Sequence, residues 1–218
     1  MIELYDYILS DDAYKARLLL SFLGLEYTAR KVDMHPGREH LTAAFRASVT
    51  PQSRLPVLRD GELRLTGPLA VLSYLAMRYD PARTWLPDDA VEQAKVLDWM
   101  AFAEREMAPI GALRLARFSD DTLLAGPGAV LPAARNAMAI LDDHLAGEGG
   151  GERAWLVGER PTVADVAVFG TAAVAPDAGV MIEDYPAVWR WMGRFRHLPG
   201  FIVMPGVFPV IPELVEPA

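Results

Sequence analysis

Over the first eighty residues the spacing of apolar side chains switches repeatedly between strand and helix periods. "IELYDY" (residues 2–7) reads as a strand. In the segment 11–24, Ala13, Ala16, Leu20 and Phe22–Leu23 form one helical stripe, with Asp11 or Asp12 as cap and Gly24 as stop. "EYTARKVD" (26–33) returns to strand, and residues 39–47 predict a short helix. "LPVLRDGELRL" (55–65) predicts two strands joined at Asp60-Gly61, a strong short-range hairpin signal. "PLAVLSYLAMRY" (68–79) then closes the unit as a helix, giving the order β-α-β-α-β-β-α.

The pattern changes at "DPARTWLPDD" (80–89), where two prolines and several turn formers interrupt it and predict a linker at 81–88. Everything beyond reads helical. A long helix is expected over 89–118, with Val91, Ala94, Leu97, Met100, Ala103 and Met107 as its apolar stripe. Further helices are expected over 129–146, running into "GEGGG", over 162–174 and over 186–197, before a proline-rich tail. No internal repeat is present. The expectation is two domains, a small α/β layer at 1–80 and an all-α bundle at 89–218.

Composition narrows the function classes. The 218 residues are 52% apolar, which suits a packed globular chain, and no apolar run approaches the ~18 residues of a membrane span. The start "MIELYDYILSDD" has neither basic nor apolar regions of signal type, so no targeting peptide is expected. The net charge is −8, Lys15, Lys31 and Lys95 are the only lysines, and the arginines are scattered. A nucleic-acid backbone would find no basic face. Cysteine is absent, which removes disulfides, thiolate metal sites and protein-thiol redox cycling and fits a reducing cytoplasm. His35, His40, His144 and His197 show no mutual ligand spacing, and no metal is expected.

Three stretches carry a family resemblance. "ELYDYILSDDAYKARLLL" places a serine after the first strand. "EHLTAAFRASVTPQSRLPVLRDGELRLTGPLAVLSYL" carries the Leu55-Pro56 and Thr66-Gly67 positions. "LVGERPTVADVAVFG" holds a capping box, Thr162-x-x-Asp165, before an apolar helix. Together they resemble the cytosolic glutathione transferases, most closely the theta and zeta serine types, across essentially the whole chain. The resemblance implies a thioredoxin-like first domain, an all-helical second domain, a homodimer, and glutathione as co-substrate attacking a small electrophile.

The resemblance also implies site residues. Ser10 would donate to the glutathione sulfur and favour the thiolate; the competing reading is a helix cap. Tyr7 offers a rival hydroxyl, with Tyr14 nearby, while Tyr5 suits core packing. Leu55 would present its backbone to the cysteinyl part beside a cis Pro56. His40 and Arg54 would bind the glycine carboxylate, with solvated surface residues as the alternative. Thr66 and Gly67 fall at the γ-glutamyl end. Met100, Met107, Arg114 and Arg117 would face the acceptor substrate, with core packing or pairing to Glu106 and other carboxylates as the alternative. Trp99 suits the core.

Two departures stand out. Where the family usually carries Glu-Ser, this chain has Gly67-Pro68, which removes a carboxylate, a hydroxyl and a backbone donor. Asp11 and Asp12 follow Ser10 and would raise a nearby thiol pKa, unless they cap the helix and face water. The competing function is therefore a protein of the same fold that has lost glutathione and binds another ligand or a protein. A lyase or isomerase that uses the cleft without free glutathione lies between the two.

Overall fold

The structure is a computed structural model that describes residues 1–118, 127–147, 149 and 151–207. Four strands form one sheet in the order β2-β1-β3-β4, with β1 Ile2–Asp6, β2 Thr28–Lys31, β3 Val57–Asp60 and β4 Leu63–Thr66. β1 and β2 run parallel because α1, Asp11–Phe22, makes the crossover between them; β3 and β4 pair antiparallel. The hairpin loop is Gly61-Glu62, one residue later than the sequence signal, and Gly61 takes φ +59 there. The short helix after β2 is split. A 3₁₀ turn, Glu39–Leu41, precedes α2, Ala43–Ser48, because the Thr42 hydroxyl accepts from the Phe45 amide and starts a new helix. α3, Pro68–Tyr79, closes the α/β unit.

The remaining helices are α4 Ala90–Arg105, α5 Ala108–Phe118, α6 Pro127–Ala146, α7 Val163–Ala172 and α8 Pro186–Arg196. The single helix expected over 89–118 is two, broken at Glu106–Met107. Pro109 has no amide to donate back to Arg105, and its ring would strike that carbonyl, so the chain restarts with Pro109 in the first turn of α5. The expected stripe also rotates. Val96, Met100 and Ala103 are buried on α4, whereas Val91 and Leu97 face outward. The segment between α3 and α4 is packed rather than free: Trp85 and Leu86 are buried, and the Asp80 carboxylate accepts from the Trp85 amide at 2.7 Å. The proline-rich tail falls mostly beyond residue 207, outside the described residues.

α7 is buried on every face and lies at the centre of the molecule, packed on α4 and on α1 of the α/β unit. A helix this apolar around its circumference is stable only when enclosed, and its two polar side chains, Asp165 and Thr171, are both hydrogen-bonded. Its start is fixed by the capping box expected at Thr162 and Asp165. The Asp165 carboxylate does more than cap: it accepts from Thr162 N at 2.8 Å, Leu156 N at 3.0 Å and Trp191 Nε1 at 3.0 Å. Burial nevertheless pushes its pKa up to about 6 against these donors. Asp165→Ala should lower stability by about 3 kcal/mol or more in urea unfolding, since it removes a cap and strands two further buried N–H groups. A loss of about 1 kcal/mol, the ordinary cost of a cap, would mean the Leu156 and Trp191 contacts contribute nothing.

Candidate active site

Ser10 sits at the N-cap of α1 in an extended conformation, and its Oγ accepts from Ala13 N at 3.1 Å. The capping reading is therefore realised. It does not consume the group, because an accepting hydroxyl still carries a hydrogen to donate. The turn before it is closed by Ser10 N donating to Tyr7 O at 2.9 Å. Of the nearby tyrosines, Tyr5 packs edge-on against Phe45, and Tyr14 is fully buried with its hydroxyl donating to Ile202 O at 2.6 Å. Tyr7 lines a separate cavity of about 460 Å³ with Asp6, Ile8, Lys31, Val32, Asp33 and Glu39.

The two acidic residues after Ser10 do not face water as a simple cap would. Asp11 is buried, accepts from Thr171 Oγ1 on α7 at 2.7 Å, and lies 3.8 Å from Lys15 Nζ. Asp12 takes a 2.6 Å bond from the same Lys15 and stands 3.8 Å from Arg54. Burial pushes the Asp11 carboxyl up, against the pull of Lys15. Burial also works against the Lys15 ammonium, but Asp12 and Asp11 outweigh it and its pKa is raised, so the lysine stays charged. The charge that the sequence placed beside Ser10 is thus partly offset by a lysine one turn along the helix.

These groups line a cavity of about 240 Å³ between the α/β unit and α4, α5 and α7. Asp11, Asp12, Lys15 and Arg54 face Ala103, Glu104, Ala108, Gly111, Ala112, Leu115 and Thr171 across it; Ser10 adjoins it in the chain without lining it. Gly111 matters here, since a Cβ would come within 3.3 Å of the Asp11 carboxylate. Arg54 spans the mouth, 3.8 Å from Asp12 and 3.9 Å from Glu104. At those lengths neither contact is a hydrogen bond.

On the other side of Arg54, Leu55–Pro56 is cis, and Pro56 O accepts from Gly67 N at 2.9 Å, which joins two of the expected site segments. Thr66 Oγ1 donates to Thr50 Oγ1 at 3.0 Å. Gly67 adopts φ +90 and ψ 152, a conformation that strains any residue with a Cβ, although the space around it is open. Glycine therefore fits this helix start by backbone geometry and Pro68 by its place at the first helical position. The cost falls on donors: no side chain caps α3. His40 lies on the 3₁₀ turn, where burial and then His35, Arg38 and Arg46 hold its imidazole below the ordinary value of 6.5. It is neutral near pH 7, and its Nδ1 is buried without a hydrogen-bond partner among the described residues.

The expected acceptor residues fare differently. Met100, on the face of α4 turned toward α7, and Met107, in the break before α5, are both fully enclosed in the core; small residues, Ala103 among them, line the cavity. Arg114 is 1% exposed and spends its guanidinium on Asp177, Leu9 and Pro205. Arg117 is exposed and donates to Asp177 O at 3.1 Å. Trp99 packs against Phe102 and His144. Lys15, Glu104 and Thr171 were missed. For Lys15 the i,i+3 and i,i+4 spacing to Asp12 and Asp11 was the available signal.

Residues 4–83 match the N-terminal domain of glutathione S-transferase and residues 88–194 its C-terminal domain. The chain belongs to the glutathione transferase family, a family of enzymes. Within it the chain is theta/zeta-like. It is 29% identical over 210 residues to the maleylacetoacetate isomerase of Pseudomonas aeruginosa, covering 92% of this chain and 93% of that one. It is 28% identical over 202 residues to glutathione S-transferase theta-2 of Rattus norvegicus, covering 91% and 82%. A glutathione transferase homolog from Lodderomyces elongisporus, solved with two glutathiones per subunit, superposes with a TM-score of 0.81 at 26% identity, covering 91% and 94%.

Pro68→Ser restores a hydroxyl and an amide at the start of α3 without disturbing the Gly67 conformation. It should tighten glutathione binding about tenfold or more, since bonds to charged groups are worth ~1.5–3 kcal/mol. Titration calorimetry reads this directly. Unchanged affinity would mean that the γ-glutamyl carboxylate does not sit at this helix start.

Proposed function

We propose that this protein is a glutathione-dependent enzyme in which Ser10 donates a hydrogen bond to the glutathione sulfur and stabilises its thiolate. The carrying observation is the Ser10 hydroxyl itself, held at the N-cap of α1 by Ala13 N with its hydrogen left to donate. The positive end of α1 adds to the effect, as it does wherever a thiolate forms at a helix N-terminus. Lys15 partly offsets Asp11 and Asp12, which otherwise oppose it.

In this reading Arg54 and His40 hold the glycine carboxylate, Leu55 offers its backbone to the cysteinyl part, and Thr66 and Gly67 meet the γ-glutamyl end. Arg54 keeps donors for a ligand because its two carboxylate partners lie beyond hydrogen-bond length. The glutathione held by the Lodderomyces elongisporus relative supports a tripeptide thiol as co-substrate. The thiolate adds to the electrophilic carbon of a compact acceptor seated against Ala103, Ala108, Gly111 and Ala112. It then either remains as a thioether while a leaving group departs, or leaves again after isomerisation. A small cavity and an altered γ-glutamyl end suit one tailored substrate, as in specialised metabolism, better than broad detoxification. A cytoplasmic homodimer completes the proposal. Among the described residues no helix is long and apolar enough to cross a membrane.

A second reading rests on Pro68: the fold kept, glutathione abandoned, and the cleft used to bind another ligand or a protein. Calorimetric titration with reduced glutathione separates the two. Saturable binding below about 1 mM supports the enzyme, and no heat up to about 10 mM supports the binding module. Ser10→Ala should lower kcat about 10- to 100-fold, the worth of one hydrogen bond to a charged group, and cost about 1 kcal/mol through the lost cap. Ser10→Gly, which costs an N-cap only a few tenths of a kcal/mol and carries neither hydroxyl nor charge, should keep most of the stability and leave kcat low. Full turnover in either variant would remove Ser10 from the mechanism.

A further inference from the structure

Arg114 is fully buried, far from the acceptor role expected of it, and one of its bonds reaches the residue just before Ser10. Its Nε donates to Asp177 Oδ2 at 2.9 Å, its Nη2 donates to Pro205 O at 2.9 Å, and its Nη1 donates to Leu9 O. Leu9 directly precedes Ser10, in the turn closed by Ser10 N and Tyr7 O. A guanidinium spreads its donors over a rigid planar fork and so serves three separated acceptors at once, a geometry that the single compact ammonium of a lysine does not reproduce.

The segment 200–207 is the other half of the arrangement. Ser21 Oγ donates to Gly200 O at 2.7 Å and Tyr14 OH to Ile202 O at 2.6 Å, which lays the segment along α1. Met204 and Val207 pair across a tight turn, and Pro205 O within it receives Arg114. Gly206 in that turn has φ +89, and a Cβ there would come within 2.6 Å of Asp177 Oδ2. Only glycine lets the turn close on the Arg114–Asp177 pair.

We propose that Arg114 is a positioning residue for Ser10. It ties the Leu9 carbonyl to Asp177 and to the 200–207 segment, so that a segment distant in sequence sets the placement of the hydroxyl that activates the thiol. The catalytic part of this inference rests on the function proposed for Ser10; the placement of the loop does not. A merely structural arginine would lower stability without a selective effect on the loop or on the thiol, and Tyr14→Phe supplies that comparison. It loosens the same segment at Ile202 and leaves the Leu9 contact intact.

The test uses the full chain with Arg114→Lys, Gly206→Ala and Tyr14→Phe. Hydrogen exchange of the peptide covering residues 7–13 and the ultraviolet thiolate band of bound reduced glutathione are the readouts. Arg114→Lys and Gly206→Ala should speed exchange of that peptide about tenfold, a loosening confined to one loop. They should also weaken the thiolate band and lower kcat at nearly constant KM; Tyr14→Phe should do neither. Should Arg114→Lys fail to fold, Gly206→Ala carries the test, because it acts on the ion pair from outside. Unchanged exchange at residues 7–13 in the folded variants, or equal acceleration in Tyr14→Phe, overturns the proposal. Absence of a thiolate band in the unaltered protein would instead count against the function assigned to Ser10, while the exchange result still decides the role of Arg114.

Discussion

The contact between α1 and α7 is the constraint on which the rest depends. Lys15 crosses α7 at Gly170, where a Cβ would come within 2.4 Å of its Cγ, and the Asp11 carboxylate takes the Thr171 hydroxyl beside it. A lysine 2% exposed between two helices is tenable only with its charge matched, and Asp11 and Asp12 match it. Breaking such a buried pair by removing one partner typically costs ~3–5 kcal/mol. The same three side chains that join the α/β unit to the helical unit also fix the N-terminus of α1, and with it Ser10 and the wall of the cleft. Packing and candidate chemistry are therefore one arrangement.

Much of the architecture was legible because it rests on local rules. The strand and helix periods up to Tyr79, the hairpin near Asp60, and the Thr162–Asp165 cap each follow from spacing or from one turn of backbone. Misreadings arose where a single residue overrides a pattern. Pro109 breaks a helix whose apolar spacing continues through it. Val91 and Leu97 fit the stripe yet face outward, because the partner of α4 is a helix some seventy residues later whose position no periodicity reveals. The candidate site rests on resemblance alone, as a serine, a cis proline and a histidine carry no distinguishing local pattern. Glu104 and Thr171, which line the cavity with Asp11, Asp12 and Lys15 of α1, come from distant places in the chain and are brought there by tertiary packing alone.

Gly67-Pro68 now has a physical account on one side. The backbone at 67 favours glycine, and the first position of α3 favours proline, so the pair makes a sound helix start. It makes a poor anion site, since a proline amide cannot donate and no side chain caps the helix. Local stability and ligand grip are at odds at this position. The enzyme reading requires Arg54, His40 and the backbone at Leu55 to supply most of the hold on the tripeptide, leaving its amino-acid end the weaker one.

A crystal of the protein soaked in reduced glutathione tests the central claim most directly. The account predicts electron density for the tripeptide with its sulfur within hydrogen-bond distance of Ser10 Oγ and its glycine carboxylate toward Arg54. An empty cleft at saturating thiol, or a bound tripeptide whose sulfur points away from Ser10, would contradict it.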